Sequence, residues 1–148
     1  MAKPGAKVFV IFEKKFVLVQ RDNNPNIPYP NCWNMPGGGI EENESALNAA
    51  FRELKEELDI VPGKLESIGI DVYTDRKVVH RFAAHLNKTE YSQVRLASEG
   101  QRLDWFTFDD ALKLNLSPHF RAYLEQCSDH VREVLSGNVT AKNATIEL

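Results

Sequence analysis

The sequence predicts an α/β fold in which helices cover both faces of a central mixed β-sheet. Two runs near the N-terminus, residues 7–12 and 16–21, are almost continuously apolar and rich in β-branched side chains. That pattern is typical of strands that are buried on both faces. Two later segments, beginning at Ser45 and Ser117, instead carry apolar residues at helical spacing. Together these observations indicate an α/β/α layered domain.

Each further strand is bounded by residues that favour turns. Glu13-Lys14-Lys15 separates the first two strands at hairpin spacing. Residues 22–34 are rich in Asn and Pro, which predicts an irregular loop, and the glycines at 37–39 give the backbone freedom to turn. The remaining strands are predicted at residues 64–74, 77–86 and 103–108.

Two main helices are predicted to pack on this sheet. The first spans residues 45–58, with Asn43 as its N-cap. Its apolar stripe consists of Leu47, Ala50, Phe51, Leu54 and Leu58. A short helix at 109–114 precedes the second, which begins at Ser117-Pro118 with a capping serine and continues to about residue 135. Residues 136–148 are polar with few apolar anchors, so we expect a mobile tail outside a domain of residues 1–135.

Composition excludes several function classes. The 148 residues suffice for one domain, and the net charge of −3 argues against nonspecific binding to nucleic acid or to acidic membranes. The apolar run at the N-terminus is too short to span a membrane and shows no signal-peptide cleavage site. Cys32 and Cys127 have no metal-binding spacing. We therefore predict reduced thiols and a cytoplasmic protein.

The first helix concentrates negative charge on one side. Glu53, Glu56 and Glu57 stand at positions i, i+3 and i+4, which share one sector of a helix. Each like-charge pair costs the isolated helix roughly 0.2–0.5 kcal/mol. Such a cluster indicates a cation, and carboxylate oxygens are ligands that suit Mg²⁺ or Mn²⁺.

The spacing around this cluster resembles the signature of the Nudix hydrolases. The charged and apolar positions of that signature are matched by Gly38, Glu44, Arg52-Glu53-Leu54, Glu56-Glu57 and Ile60. Residues 33–38 are similar to the family's approach to this box, and Glu99-Gly100 and Trp105 resemble its C-terminal half. The resemblance touches roughly residues 7–135 and implies a Nudix-type α/β/α sandwich.

One position departs from the family pattern. Asp59 stands where the family has glycine. A residue just past a helix often takes a left-handed conformation, which Asp tolerates at a cost of about 1 kcal/mol. We therefore expect Asp59 to affect stability more than catalysis.

The resemblance implies a metal-dependent hydrolase. Such enzymes cleave a diphosphate linked to another moiety, usually a nucleoside diphosphate derivative, by attack of water on phosphorus. The implied Mg²⁺ ligands are Glu53, Glu56, Glu57 and the Gly38 carbonyl. Arg52 would hold these carboxylates in register, and Glu44 would tie the loop to the helix.

Several roles stay open at this point. The general base is Glu56 or Glu99. Arg21, and less strongly Arg81, are candidates to contact phosphate. Trp33 or Tyr29 would stack on a base, or else serve only in packing.

The sequence also allows alternatives to hydrolysis. A non-catalytic Nudix-like module that binds a nucleotide metabolite is the main alternative, but the intact charged box favours the hydrolase. Isomerisation of an allylic diphosphate would need a cysteine and glutamate arrangement that the sequence does not display. We expect a small-molecule nucleoside diphosphate derivative as partner, with neither nucleic acid nor membrane, and a homodimer stays open.

Overall fold

A computed structural model describes residues 3–148. The strands are β1 (Gly5–Phe12), β2 (Lys15–Gln20), β3 (Trp33–Asn34), β4 (Gly37–Gly39), β5 (Glu66–Tyr73), β6 (Val78–His85), β7 (Arg102–Phe106) and β8 (Ala144–Ile146). The helices are α1 (Ala46–Leu58), α2 (Lys88–Gln93), α3 (Phe108–Ala111), α4 (Pro118–Gln126) and α5 (Ser128–Leu135). None of the helices in residues 3–148 is long and apolar enough to cross a membrane.

The strands form one mixed sheet in the order β3-β2-β1-β6-β5-β8. The central β1 runs parallel to β6 and antiparallel to β2, so sequence neighbours and distant segments meet in the middle of the sheet. β4 also pairs with β1, and β7 pairs with β2. This topology brings the glycine strand β4 beside the strand that lies at the centre of the fold.

β1 is covered on both faces, as its nearly continuous hydrophobicity predicts. Val8 and Val10 belong to the apolar cluster that includes Ala50, Leu54 and Leu58 of α1. Phe9 and Ile11 belong to the opposite cluster, which contains residues of α4 and α5. The alternation of side chains along the strand distributes them between two helical layers. The predicted α/β/α arrangement is confirmed.

The start of α1 differs from the prediction. Ser45, not Asn43, is the N-cap, and its side chain accepts a hydrogen bond from the Asn48 N–H. Asn43 instead adopts a left-handed conformation with φ of 62° in the preceding turn, which asparagine tolerates. Leu47 lies outside the core at 41% exposure, because Ala49 and Ala50 take the sheet-facing side at this end.

The C-terminal third differs more. The predicted long helix is interrupted at Cys127, which ends α4 and precedes α5. The Ser117 side chain makes no capping hydrogen bond. The expected mobile tail is wrong for its last residues, because β8 joins the sheet parallel to β5 and Ile146 is fully buried. A domain boundary at residue 135 would therefore separate β8 from the sheet to which it belongs. Short α2, with a capping box from Asn87 and Glu90, was not predicted.

Candidate active site

The glycine strand and α1 meet through two close approaches. Gly37 has φ of 135°, and a Cβ there would overlap the Ala6 carbonyl, so only glycine fits. Its N–H donates a hydrogen bond of 2.8 Å to Oε2 of Glu57. A Cβ on Gly38 would lie 2.7 Å from the carboxyl carbon of Glu53. Two box carboxylates therefore sit directly against the backbone of the glycine strand.

Arg52 connects the carboxylates of Glu44, Glu53 and Glu56. Its guanidinium donates to both oxygens of Glu44, at 2.8 and 3.0 Å, and to Glu53 Oε1 at 3.0 Å. It also donates to the Gly39 carbonyl at 3.1 Å and to Glu56 Oε2 at 3.5 Å. These hydrogen bonds lower the pKa of Glu44 to about 2, so Glu44 is charged at neutral pH. Arg52 thus joins the helix to the glycine strand and orients the box carboxylates.

Glu57 is the box residue with the most perturbed ionisation. Burial raises its pKa from 4.5 to about 7, although Lys7 and the Gly37 N–H favour the charged form. Lys7 lies nearby on β1, where burial lowers the pKa of its ammonium and Glu57 opposes that change. Within the part of the chain that the structure describes, the Lys7 Nζ donates only long hydrogen bonds, to the Met35 and Gly37 carbonyls at 3.3 and 3.4 Å. A carboxyl group with a raised pKa beside a weakly hydrogen-bonded lysine is typical of a functional site.

A cavity of about 240 Å³ opens beside Glu57. Its lining combines two cations, Lys7 and Arg21, with three carboxylates, Asp22, Glu57 and Glu99. The remaining lining residues are Val19, Asn24, Ile27, Asn34, Met35, Pro36, Gly37 and Gly100. The Arg21 Nε donates to the Pro28 carbonyl at 2.8 Å, which orients this side chain. We refer to this space as the carboxylate cavity.

A second cavity, of about 300 Å³, shares Lys7 and Asn34 with the first. It is lined otherwise by Tyr29, Tyr73, Lys77, Val79, Arg81, Ser117, His119 and Phe120. Ser117 is 4% exposed, and its hydroxyl has no hydrogen-bond partner among the described residues. Buried hydroxyls are ordinarily paired, so this unpaired group is an exception in the wall of the cavity. We refer to this space as the serine cavity.

Two of the predicted substrate-binding residues, Trp33 and Arg81, are buried, although Arg81 also lines the serine cavity. Trp33 is 5% exposed, packs edge-on against Phe106 and lines neither cavity, so its position does not support stacking on a base. Arg81 is 3% exposed and donates to Asp71 at 2.7 Å, to the Met35 sulfur and to the Tyr73 hydroxyl. Its guanidinium also lies 3.6 Å from the centre of the Tyr123 ring. These contacts indicate a structural role for Arg81, because its charge is already compensated.

The comparison with known proteins agrees with this geometry. A family model for the NUDIX domain matches residues 1–127. The chain belongs to the NUDIX family. An RNA pyrophosphohydrolase from Hydrogenovibrio crunogenus is 35% identical over 94 residues, which are 62% of this chain and 53% of that protein. An ADP-ribose pyrophosphatase from Methanocaldococcus jannaschii is 36% identical over 75 residues, covering 49% and 43% respectively.

These matches span about half the length of the two relatives. Among solved structures, a MutT NUDIX hydrolase from Burkholderia pseudomallei superposes with a TM-score of 0.68 and 25% identity. That match covers 84% of this chain and 96% of the other. The shared fold therefore includes almost all of the Burkholderia domain.

NUDIX hydrolases generally use divalent metal ions, and the ligand atoms available here are of the type that such cations bind. Glu53, Glu56, Glu57 and the Gly38 carbonyl offer the hard oxygen atoms that Mg²⁺ and Mn²⁺ prefer. Within residues 3–148, however, no three acidic, His or Cys groups lie close enough to form a closed metal cluster. Arg52 engages Glu53 and Glu56, and Gly37 engages Glu57. Each of these hydrogen bonds occupies one oxygen of its carboxylate, so the second oxygen of Glu53, Glu56 and Glu57 can serve as a ligand.

Three residues that line these cavities were not predicted as site residues from the sequence. Lys7 and Asn34 line both cavities, and Ser117 contributes the unpaired hydroxyl. A lysine in an otherwise apolar strand was the available signal for Lys7. Ser117 had no such signal, because a serine before a proline is equally typical of a helix start.

Proposed function

We propose that this protein is a divalent-cation-dependent pyrophosphohydrolase that cleaves the diphosphate linkage of a nucleoside diphosphate or triphosphate derivative. The observation that carries the proposal is the position of Glu57, whose carboxylate binds the Gly37 N–H at the wall of a cavity that also contains Lys7 and Arg21. One box carboxylate, Glu57, and two cations thus face the same space. The names of the two relatives, one acting on RNA and one on ADP-ribose, support a pyrophosphate substrate.

The cation is expected to be Mg²⁺, with Mn²⁺ as a substitute, held by Glu53, Glu56, Glu57 and the Gly38 carbonyl. When bound, a divalent cation neutralises phosphate charge and orients the oxygens around the reacting phosphorus. Arg52 keeps Glu53 beside the glycine strand through its hydrogen bonds to Glu44 and Gly39. We therefore assign Arg52 the orientation of the ligands.

The cations of the carboxylate cavity are assigned to the substrate phosphates. Lys7 has only long contacts to carbonyl oxygens, so an anionic group would improve its hydrogen bonding. Arg21 has its Nε committed to Pro28 and retains terminal N–H groups for a phosphate. Both residues would lower the charge repulsion between the substrate and Glu57.

The same cavity favours Glu99 over Glu56 as the general base. Glu99 is exposed and lines the carboxylate cavity, whereas Glu56 does not line it and is ion-paired with Arg52. In the proposed step, a water oxygen forms a bond to phosphorus while the bridging P–O bond breaks. The leaving phosphate group takes the bonding electrons, and the carboxylate accepts the water proton.

The serine cavity is assigned to the moiety attached to the diphosphate. Its walls combine aromatic and aliphatic side chains, from Tyr73, Val79 and Phe120, with three cations, Lys7, Lys77 and Arg81. Tyr29 stands 46% exposed at its edge, and Asn34 and Ser117 add neutral polar groups. Apolar surface combined with polar groups in one concave space is typical of small-molecule sites.

A substrate panel with Mg²⁺, scored for released phosphate or pyrophosphate, tests the function. We expect turnover of at least one nucleoside diphosphate derivative and a loss of about 10²-fold or more in Glu57→Gln. Glu125→Gln is the matched control, because Glu125 is an exposed residue of α4. Full activity in Glu57→Gln would contradict the metal assignment. Tight nucleotide binding without turnover would instead identify the non-catalytic binding module.

A further inference from the structure

Asp59 does more than end α1. It adopts the left-handed conformation with φ of 55° and ψ of 37°, in the place where the family pattern has glycine. Glycine takes this conformation without strain and aspartate does not. An aspartate here is therefore unfavourable for the backbone, unless its side chain makes a compensating interaction.

The Asp59 carboxylate joins two separate parts of the chain. Oδ1 accepts a hydrogen bond of 2.7 Å from Lys55, within α1. Oδ2 accepts a hydrogen bond of 3.1 Å from Arg95 Nε, and Arg95 Nη2 lies 3.1 Å from the same oxygen. Both cations lower the pKa of Asp59, so its carboxylate is charged at neutral pH. Glycine at this position would offer Arg95 no partner.

Arg95 begins the loop that carries Glu99 to the carboxylate cavity. The loop is held to the end of α1 by hydrogen bonds from Arg95 N–H to the Leu58 carbonyl, 3.2 Å, and from Ala97 N–H to the Glu57 carbonyl, 2.9 Å. Gly100, with φ of 109°, then returns the chain to β2. Among the described residues, the Glu99 side chain makes no hydrogen bond of its own. Its position therefore depends on the anchors at each end of the loop.

We propose that Asp59 is a positioning residue that fixes the Glu99 loop against α1 through Arg95. Glu57 and Glu99 then keep a constant relative position, because the loop is bonded to the backbone of Glu57 itself. The consequence for catalysis rests on the proposed function, in which Glu99 accepts the water proton. The anchoring itself does not depend on that function.

The test uses Asp59→Gly, which removes the carboxylate while keeping an unstrained helix end. We expect amide hydrogen exchange in residues 94–101 to accelerate by about three- to tenfold, in keeping with the modest strength of exposed ion pairs. Exchange in β8 should stay unchanged. With an active substrate, kcat should fall by a similar factor while KM and the melting temperature change little.

Arg95→Ala should reproduce both effects, and Asp59→Gly combined with Arg95→Ala should add nothing further, since the two residues act as one contact. Lys55→Ala is the control, because it removes the other partner of Asp59 without touching the loop. Unchanged loop exchange in Asp59→Gly, or additive effects in the double variant, would overturn the proposal. If the unmodified protein hydrolysed nothing, the proposed function would fail, but the exchange comparison would still decide the anchoring.

Discussion

Glu57 and Arg81 are both ionisable groups withdrawn from water, in neighbouring cavities that share Lys7 and Asn34. Arg81 has its charge matched by Asp71 at 2.7 Å and its N–H groups taken by Met35 and Tyr73. Glu57 has one backbone hydrogen bond and a pKa raised to about 7. A buried charge that is compensated within the protein destabilises the fold when its partner is removed, whereas a charge left poorly compensated is available to a ligand.

The largest effect is expected from breaking the compensated pair. Asp71→Asn leaves the Arg81 charge buried without its counterion, which typically costs about 3–5 kcal/mol. We expect the free energy of unfolding, measured by urea titration, to fall by that amount. Lys64→Ala is the control, because the Lys64–Glu66 pair is exposed and such pairs contribute about 0–1 kcal/mol. Equal losses in the two variants would mean that Arg81 is not held as its geometry indicates.

Glu57, whose charge is poorly compensated, should instead lower the stability of the fold when it ionises. Its pKa is raised, so between about pH 4.5 and 7 the folded protein binds more protons than the unfolded chain, and stability must fall as pH rises. For metal-free protein in chelator, we expect Glu57 to account for a loss of about 3 kcal/mol across that range. Glu57→Gln should lack this component in parallel urea titrations. An identical pH dependence in both proteins would show that Glu57 is solvated.

This contrast also explains how far the sequence could be interpreted. The box residues lie within one helix and one adjoining strand, so fixed spacing sufficed to group Glu53, Glu56 and Glu57. Arg81 and Asp71 lie on different strands, and their pairing depends on a bulge between Ser67 and Gly69 that sets the register of β5 on β6. No local pattern encodes that register.

The prediction of a mobile tail was wrong for its last residues for the same reason. Residues 144–146 form a strand only because β5 offers a parallel partner more than 70 positions earlier. The three residues are too few for a period-2 signal, and their polar neighbours favoured the interpretation as a tail. Composition and residue spacing could not predict the long-range pairing of such short segments.

A smaller change tests whether the glycine strand is shaped for the metal ligands. Gly38→Ala places a methyl group against the Glu53 carboxyl, which must then move away from β4. We expect the dissociation constant for Mg²⁺ or Mn²⁺, measured by calorimetric titration, to rise about tenfold, as when a ligand loses its support. Gly39→Ala is the matched control, because its methyl would meet only the flexible Lys3 side chain. Equal metal affinity in both variants would exclude Glu53 as a ligand.

The smallest expected effect concerns the serine cavity, where stability and binding should change in opposite directions. Among residues 3–148 the buried Ser117 hydroxyl has no hydrogen-bond partner, so Ser117→Ala should leave the free energy of unfolding unchanged or raise it by up to about 1 kcal/mol. If the hydroxyl contacts the moiety attached to the diphosphate, KM should rise about three- to tenfold with kcat preserved. Ser92→Ala, in exposed α2, controls for loss of a serine hydroxyl. A stabilised variant with unchanged KM would leave the hydroxyl as a packing imperfection and would move the substrate out of this cavity.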